Sequence, residues 1–206
     1  MKLEGLYLVT PDPRPKMFWE ITEDALNAGL DLLQLRDKHS TPDSLVETAT
    51  RLRNLCRKYD VPLIINDFPE LYEKVHADGF HLGMSDYSVL DCRKKYPDAL
   101  IGASAECDLV YAKRIQEYAD YVGLGPFFPT RSKEDVVVCD ISTMRDLKSS
   151  IKVPAFAIGG IDTENVRTVM SYGFSGVAVI SSVYDSPNPS RTIRTFRSIL
   201  DNFSDS

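Results

Sequence analysis

Gln34, Arg36 and Lys38 alternate along an otherwise apolar run, DLLQLRD at 31–37, and its next residue. If that run is a strand, alternate side chains share a face, so an amide and two cations point the same way. A salt-bridged strand end would explain one such residue, but burying three polar groups is costly, and the trio therefore reads as functional. Asn66 and Asp67 close the run PLIIND at 62–67, and Asp86 follows GFHLG at 79–83. Two carboxylates from adjacent strand ends, with water and a phosphate oxygen completing the shell, commonly hold Mg²⁺. Each Asp alone would read as a helix cap; as a pair beside cations they read as metal ligands. Gly159-Gly160 and Ser181-Ser182 each follow an apolar run and precede helical sequence. There backbone N–H groups can meet a phosphate, although a turn with positive φ would ask for the same glycines. The stretch from Gly125 to Lys133, GPFFPTRSK, combines length, hydroxyls and a terminal cation, which suits a lid over a charged ligand.

Eight short apolar runs position these residues: 5–10, 31–37, 62–67, 79–83, 100–105, 121–126, 154–160 and 176–181. Several are apolar at nearly every position, as strands covered on both faces are. Each precedes a longer segment with helical spacing. Thr41-Pro42-Asp43 opens one that carries Leu45, Val46, Ala49, Leu52 and Leu55 on a face; Asp162-Thr163 opens another, stopped by Gly173; the last runs from Pro189 to Asn202. The pattern predicts an α/β fold, a parallel (β/α)₈ barrel of the TIM type, in one domain spanning 1–206. Polar residues at the C-terminal strand ends then share one mouth. The doubly wound alternative lacks its G-x-G-x-x-G turn. His81, inside a strand, reads as a hydrogen-bonded interior residue, and Met17 and Trp19 as core.

The chain has 206 residues, 43% of them hydrophobic and 26% charged, with a net charge of −6. No basic face is visible, which argues against nucleic acid as a partner. No run is long enough to span a membrane, and the expected location is the cytoplasm. Cys56, Cys92, Cys107 and Cys139 lie far apart and read as free thiols, while His39, His76 and His81 lack zinc-ligand spacing.

The stretches LYLVT, QLRDK, INDF, ADGFHLG followed by SD, GAS, DYVGLGPFFPTRSK, AIGGID and GVAVIS, in this order, resemble the thiamine phosphate synthase family over nearly the whole chain. The resemblance implies an enzyme, a transferase. It would join a hydroxymethylpyrimidine diphosphate to a thiazole phosphate with loss of pyrophosphate, and both partners would be phosphorylated small molecules. It implies that Gln34, Arg36, Lys38, Asn66, Ser104, Thr130, Ser132 and Lys133 surround the diphosphate. Arg36, Lys38, Ser104 and Lys133 would act on the leaving group. Asp67 and Asp86 would hold the cofactor Mg²⁺, and Gly159, Gly160, Ile180 and Ser181 would seat the thiazole phosphate. Self-association is left open.

Three positions depart from the family pattern: Met84 where HLGQ has Gln, Phe68 after IND, and Glu106 where the related thiazole tautomerases carry His. A tautomerase needs a proton-transfer group near neutral pKa, so Glu106 and the retained lid sequence favour the synthase. The alternatives are a tautomerase-like paralogue and a barrel that binds a phosphorylated ligand without turnover.

Overall fold

The computed structural model describes residues 3–130 and 137–204. Eight strands, β1 (Gly5–Val9), β2 (Leu32–Leu35), β3 (Leu63–Asn66), β4 (Gly79–Leu82), β5 (Leu100–Glu106), β6 (Tyr121–Leu124), β7 (Ala155–Ile158) and β8 (Gly176–Val179), pair in parallel in sequence order. β8 returns to β1, so the sheet closes as a (β/α)₈ barrel. All eight expected strands form. Most end earlier than their apolar runs because the final residues turn out into the mouth loops.

The helices are α1 (Phe18–Asn27), α2 (Pro42–Lys58), α3 (Pro69–Val75), α4 (Val89–Lys95), α5 (Leu109–Ile115), α6 (Ile141–Ser150), α7 (Val166–Met170), α8 (Ser181–Tyr184) and α9 (Pro189–Ser204). α2 starts where its sequence signature puts it. The Thr41 hydroxyl accepts the Ser44 N–H, Ser44 reciprocates, and Leu45, Ala49, Leu52 and Cys56 are buried along one stripe. Asp162 does not cap a helix directly; it accepts the N–H groups of Glu164 and Asn165 in a turn, and α7 begins only at Val166. Met17 is 60% exposed at the start of α1, not core, and Trp19 is half-buried with the Arg51 guanidinium 3.8 Å above its ring.

Strand parity divides the interior in two. Leu6, Leu8, Leu33, Leu35, Leu63, Ile65, Phe80, Leu82, Val122, Leu124, Val177 and Val179 point outward and pack under the helices. Tyr7, Val9, Leu32, Ile64, Tyr121, Phe156 and Ala178 point inward and fill the barrel. Successive strand side chains alternate faces, so the same parity that buries Leu33 and Leu35 outside aims Gln34 inside.

A disulfide joins Cys107, just past β5, to Cys139, just before α6. This corrects the expectation of four free thiols; Cys56 and Cys92 are free and buried. No helix among the described residues is long and apolar enough to cross a membrane.

Candidate active site

One cavity occupies the C-terminal mouth, and its lining gathers Gln34, Arg36, Lys38, Asn66, Asp67, Ser104, Thr130, Gly159, Gly160, Ile180 and Ser181. Asp86 lies beside it, sharing a second hollow with Lys38 and Asp67. Ser132 and Lys133 lie outside the described residues.

Of the trio Gln34, Arg36 and Lys38 only Gln34 sits on the strand. β2 stops at Leu35, so Arg36 and Lys38 occupy the loop beyond it, and Lys38 is exposed rather than buried. Side chains from beyond β1 hold their backbones: Thr10 Oγ1 donates to the Arg36 carbonyl and accepts its N–H, and the Lys38 N–H donates to the Asp12 carboxylate. Asp37 lines the second hollow and not the main cavity. It accepts from the N–H groups of His39 and Ser40 and pairs with Arg14 at 3.2 Å, pinning the loop between the two cations.

Neither Asp67 nor Asp86 caps a helix. Phe68 precedes α3 without a side-chain cap, and Ser88 caps α4. The two carboxylates instead meet each other, with the Lys38 ammonium on Asp67 Oδ2 and the Gly83 N–H donating to Asp86 Oδ2 at 2.6 Å. Burial and the adjoining Asp86 carboxylate push Asp67 up to about 6, against the pull of Lys38. Burial works to raise Asp86 too, but its hydrogen bond with Asp67 and the nearby Lys38 hold it below the ordinary carboxylate range. The pair therefore titrates together, with the proton on Asp67. Asp67 Oδ1 is buried without a hydrogen-bond partner, as is Nδ2 of the adjacent Asn66. An orphaned carboxylate oxygen beside a second carboxylate is a donor set that a hard divalent cation satisfies, so these residues fit Mg²⁺.

The opposite wall is made of backbone. Gly159 (φ +100°) and Gly160 (φ +62°) turn the chain after β7. A Cβ on Gly160 would strike the Pro129 carbonyl and one on Gly159 the Pro126 ring. The turn reading and the phosphate reading thus both ask for glycine here. The GPFFP segment is anchored rather than loose: Phe127 is buried against Tyr172 and Phe174, and the Phe127 and Phe128 N–H groups donate to the Ile158 and Gly159 carbonyls.

The floor of the cavity holds residues that sequence reasoning passed over. Tyr7, Tyr121, Phe156 and His81 line it, and the aromatic rings meet edge to face. His81 is interior and hydrogen-bonded as expected, yet its Nε2 lies 2.8 Å from Ser104 Oγ on the cavity wall. Burial lowers its pKa to about 4, so the ring is neutral near pH 7. The available signal was parity: Tyr7 stands two residues before inward Val9 and Tyr121 two before inward Gly123. Glu106 also reaches the cavity, through an irregularity in the β5–β6 register between Ser104 and Glu106. Met84 lies outside it, in a shallow hollow with Glu106 and Cys107.

The sequence pattern of the family described as thiamine monophosphate synthase matches residues 6–183. The thiamine-phosphate synthase of Picrophilus torridus is 41% identical over 197 residues, covering 95% of this chain and 96% of the relative. That of Thermoplasma acidophilum is 38% identical over 205 residues, covering 98% and 95%. The solved thiamine phosphate pyrophosphorylase from Pyrococcus furiosus superposes with a TM-score of 0.88 at 31% identity, covering 98% of each chain.

Proposed function

The chain belongs to the thiamine monophosphate synthase family, and from that premise we propose that it couples hydroxymethylpyrimidine diphosphate to a thiazole phosphate, giving thiamine phosphate and pyrophosphate. The observation that carries this reading is the two-sided mouth: cations and paired carboxylates on β2–β4, a glycine turn on β7. Both substrates are phosphorylated small molecules, and each wall suits one phosphate-bearing end.

Departure of pyrophosphate builds negative charge, and fixed donors at that position lower the barrier. Arg36 and Lys38 take this role, with Ser104, Asn66 and Gln34 orienting the diphosphate and Thr130 approaching from the loop after β6; the family resemblance adds Ser132 and Lys133 to this set. Asp67 and Asp86 would hold Mg²⁺, which when bound supplies the positive charge that screens the diphosphate oxygens. Gly159, Gly160, Ile180 and Ser181 offer backbone N–H groups to the thiazole phosphate. The aromatic floor of Tyr7, Tyr121 and Phe156 excludes water from an electron-poor pyrimidine methylene. Closure of β1 on β8 supports reading 1–206 as one domain, and its charged substrates, which do not cross membranes unaided, support a cytoplasmic site of action.

Incubation of the purified protein with both substrates and Mg²⁺, following pyrophosphate, is the test. Release that requires the thiazole phosphate and stops with chelator is expected. Failure to form thiamine phosphate would reject the reading, and isomerisation of a thiazole carboxylate phosphate in its place would assign the tautomerase activity.

A further inference from the structure

A continuous polar chain crosses the barrel beneath the cavity. The Gln34 side-chain amide donates to the Tyr7 hydroxyl at 2.6 Å, and the Tyr7 and Tyr121 hydroxyls are 2.7 Å apart. The Tyr121 hydroxyl lies 3.2 Å from His81 Nδ1, and His81 Nε2 lies 2.8 Å from Ser104 Oγ. Gln34, Tyr7, Tyr121 and His81 are all buried, at 4%, 2%, 0% and 7% exposure. The strand backbone is shaped to admit them: a Cβ on Gly102 would strike both the Tyr121 phenol and the His81 ring. Gly123 leaves only ordinary contact distances to His81 and Ser104.

Each hydroxyl has one hydrogen to give, and a neutral imidazole is a donor at one nitrogen and an acceptor at the other. A linear chain of such groups has two senses, and fixing one end fixes the other. With the Gln34 amide donating, Tyr7 gives its hydrogen to Tyr121 and Tyr121 gives its own to Nδ1. Nε2–H must then donate to Ser104 Oγ. Ser104, already accepting, is left to point its own hydrogen into the cavity. In the opposite sense Ser104 would spend its hydrogen on His81 and offer the cavity only lone pairs. Arg36 and Lys38 mark that cavity for an anion, which needs the donor.

We infer that Tyr7, Tyr121 and His81 are positioning residues that fix the sense of this chain and so hold the Ser104 hydroxyl as a donor toward the anionic substrate. The chain links β2, β1, β6, β4 and β5, so one hydrogen-bond sense runs through five strands. The inference deepens the proposed reaction and rests on it for the identity of the anion; the tautomer it requires belongs to the protein alone.

The test combines ¹⁵N NMR of the unliganded protein with binding of inorganic pyrophosphate and pyrophosphate-release kinetics. At neutral pH the wild type should show His81 as a single Nε2–H tautomer. Tyr7→Phe and Tyr121→Phe retain the ring packing and should mix the two tautomers, weakening pyrophosphate binding about 5- to 10-fold. Ser104→Ala should lower kcat/KM, and adding Tyr121→Phe to it should lower it no further, since residues acting through one another are non-additive. A wild-type Nδ1–H tautomer, an unchanged tautomer in both Phe variants, or additive losses would each overturn the inference. Absence of synthase turnover beside the expected tautomer and binding results would reject the reaction and leave the positioning role standing.

Discussion

The two walls of the mouth solve the same problem, holding a phosphate, with different materials. On β2–β4 the work falls to side chains: Asn66 ends β3, and Arg36, Lys38, Asp67 and Asp86 lie in the loops beyond the strands, where Thr10 and Asp12 hold the Arg36 and Lys38 backbones and the Gly83 N–H holds the Asp86 carboxylate. On β7 it falls to the main chain, where Gly159 and Gly160 carry no side chain because Pro126 and Pro129 already fill the space. The difference teaches that a residue can matter through its functional group or through the room it vacates. The first kind separates activity from stability, and the second couples them.

The largest expected effect falls on the side-chain wall. Asp86→Ala and Asp67→Asn should lower kcat by about 10² to 10⁴, the range of several kcal/mol of charge stabilisation, while the metal-free protein still folds and melts cooperatively. Asn is chosen at position 67 because the backbone there is left-handed (φ 65°), a conformation Asn tolerates. Full activity in either variant would break the comparison at its metal end. Gly160→Ala should behave in the opposite way. A Cβ at positive φ against the Pro129 carbonyl costs about 1–3 kcal/mol, so melting temperature and the KM for thiazole phosphate should both shift. An unchanged melting point would remove the glycine wall's claim to be structural.

A smaller effect is the pH dependence of metal binding. Asp67 must lose its proton to serve as a ligand, and it holds that proton up to about pH 6. Mg²⁺ affinity, followed by calorimetry, should fall up to about tenfold per unit as pH drops below that value. The smallest is a pair of opposed slopes in metal-free stability. Asp67 binds its proton more tightly folded than unfolded, so its contribution is lost as pH rises from 3.8 to about 6. His81 binds its proton less tightly folded, so its contribution is lost as pH falls from 6.5 to about 4. The two oppose each other in the native protein. Melting temperature should climb across this window in Asp67→Asn and decline in His81→Asn; parallel curves would show that the groups do not titrate as described.

The barrel was legible because two-sided burial makes each strand apolar, as in GVAV of β8, and helix signatures such as Thr41-Pro42 stand between. The mouth was legible because charges at the ends of apolar runs have few structural uses. What stayed hidden has a common cause: it depends on contacts between distant residues. Tyr7 and Tyr121 look like core in sequence, being 114 residues apart, and their hydroxyl contact shows only in the folded barrel. His81 was read as interior without its link to Ser104. The helix start expected at Asp162 came late because its carboxylate closes a turn with the Glu164 and Asn165 N–H groups ahead of α7. Cys107 and Cys139 gave no spacing signal, since their approach depends on how β5 and β6 sit side by side.

That disulfide closes α5, β6 and the loop after β6 into one covalent ring between cysteines 32 positions apart in sequence. Cleavage at any single peptide bond within it leaves one connected molecule, so a protease acting on the loop that carries Thr130 would nick the protein without releasing a fragment until the sulfurs are reduced.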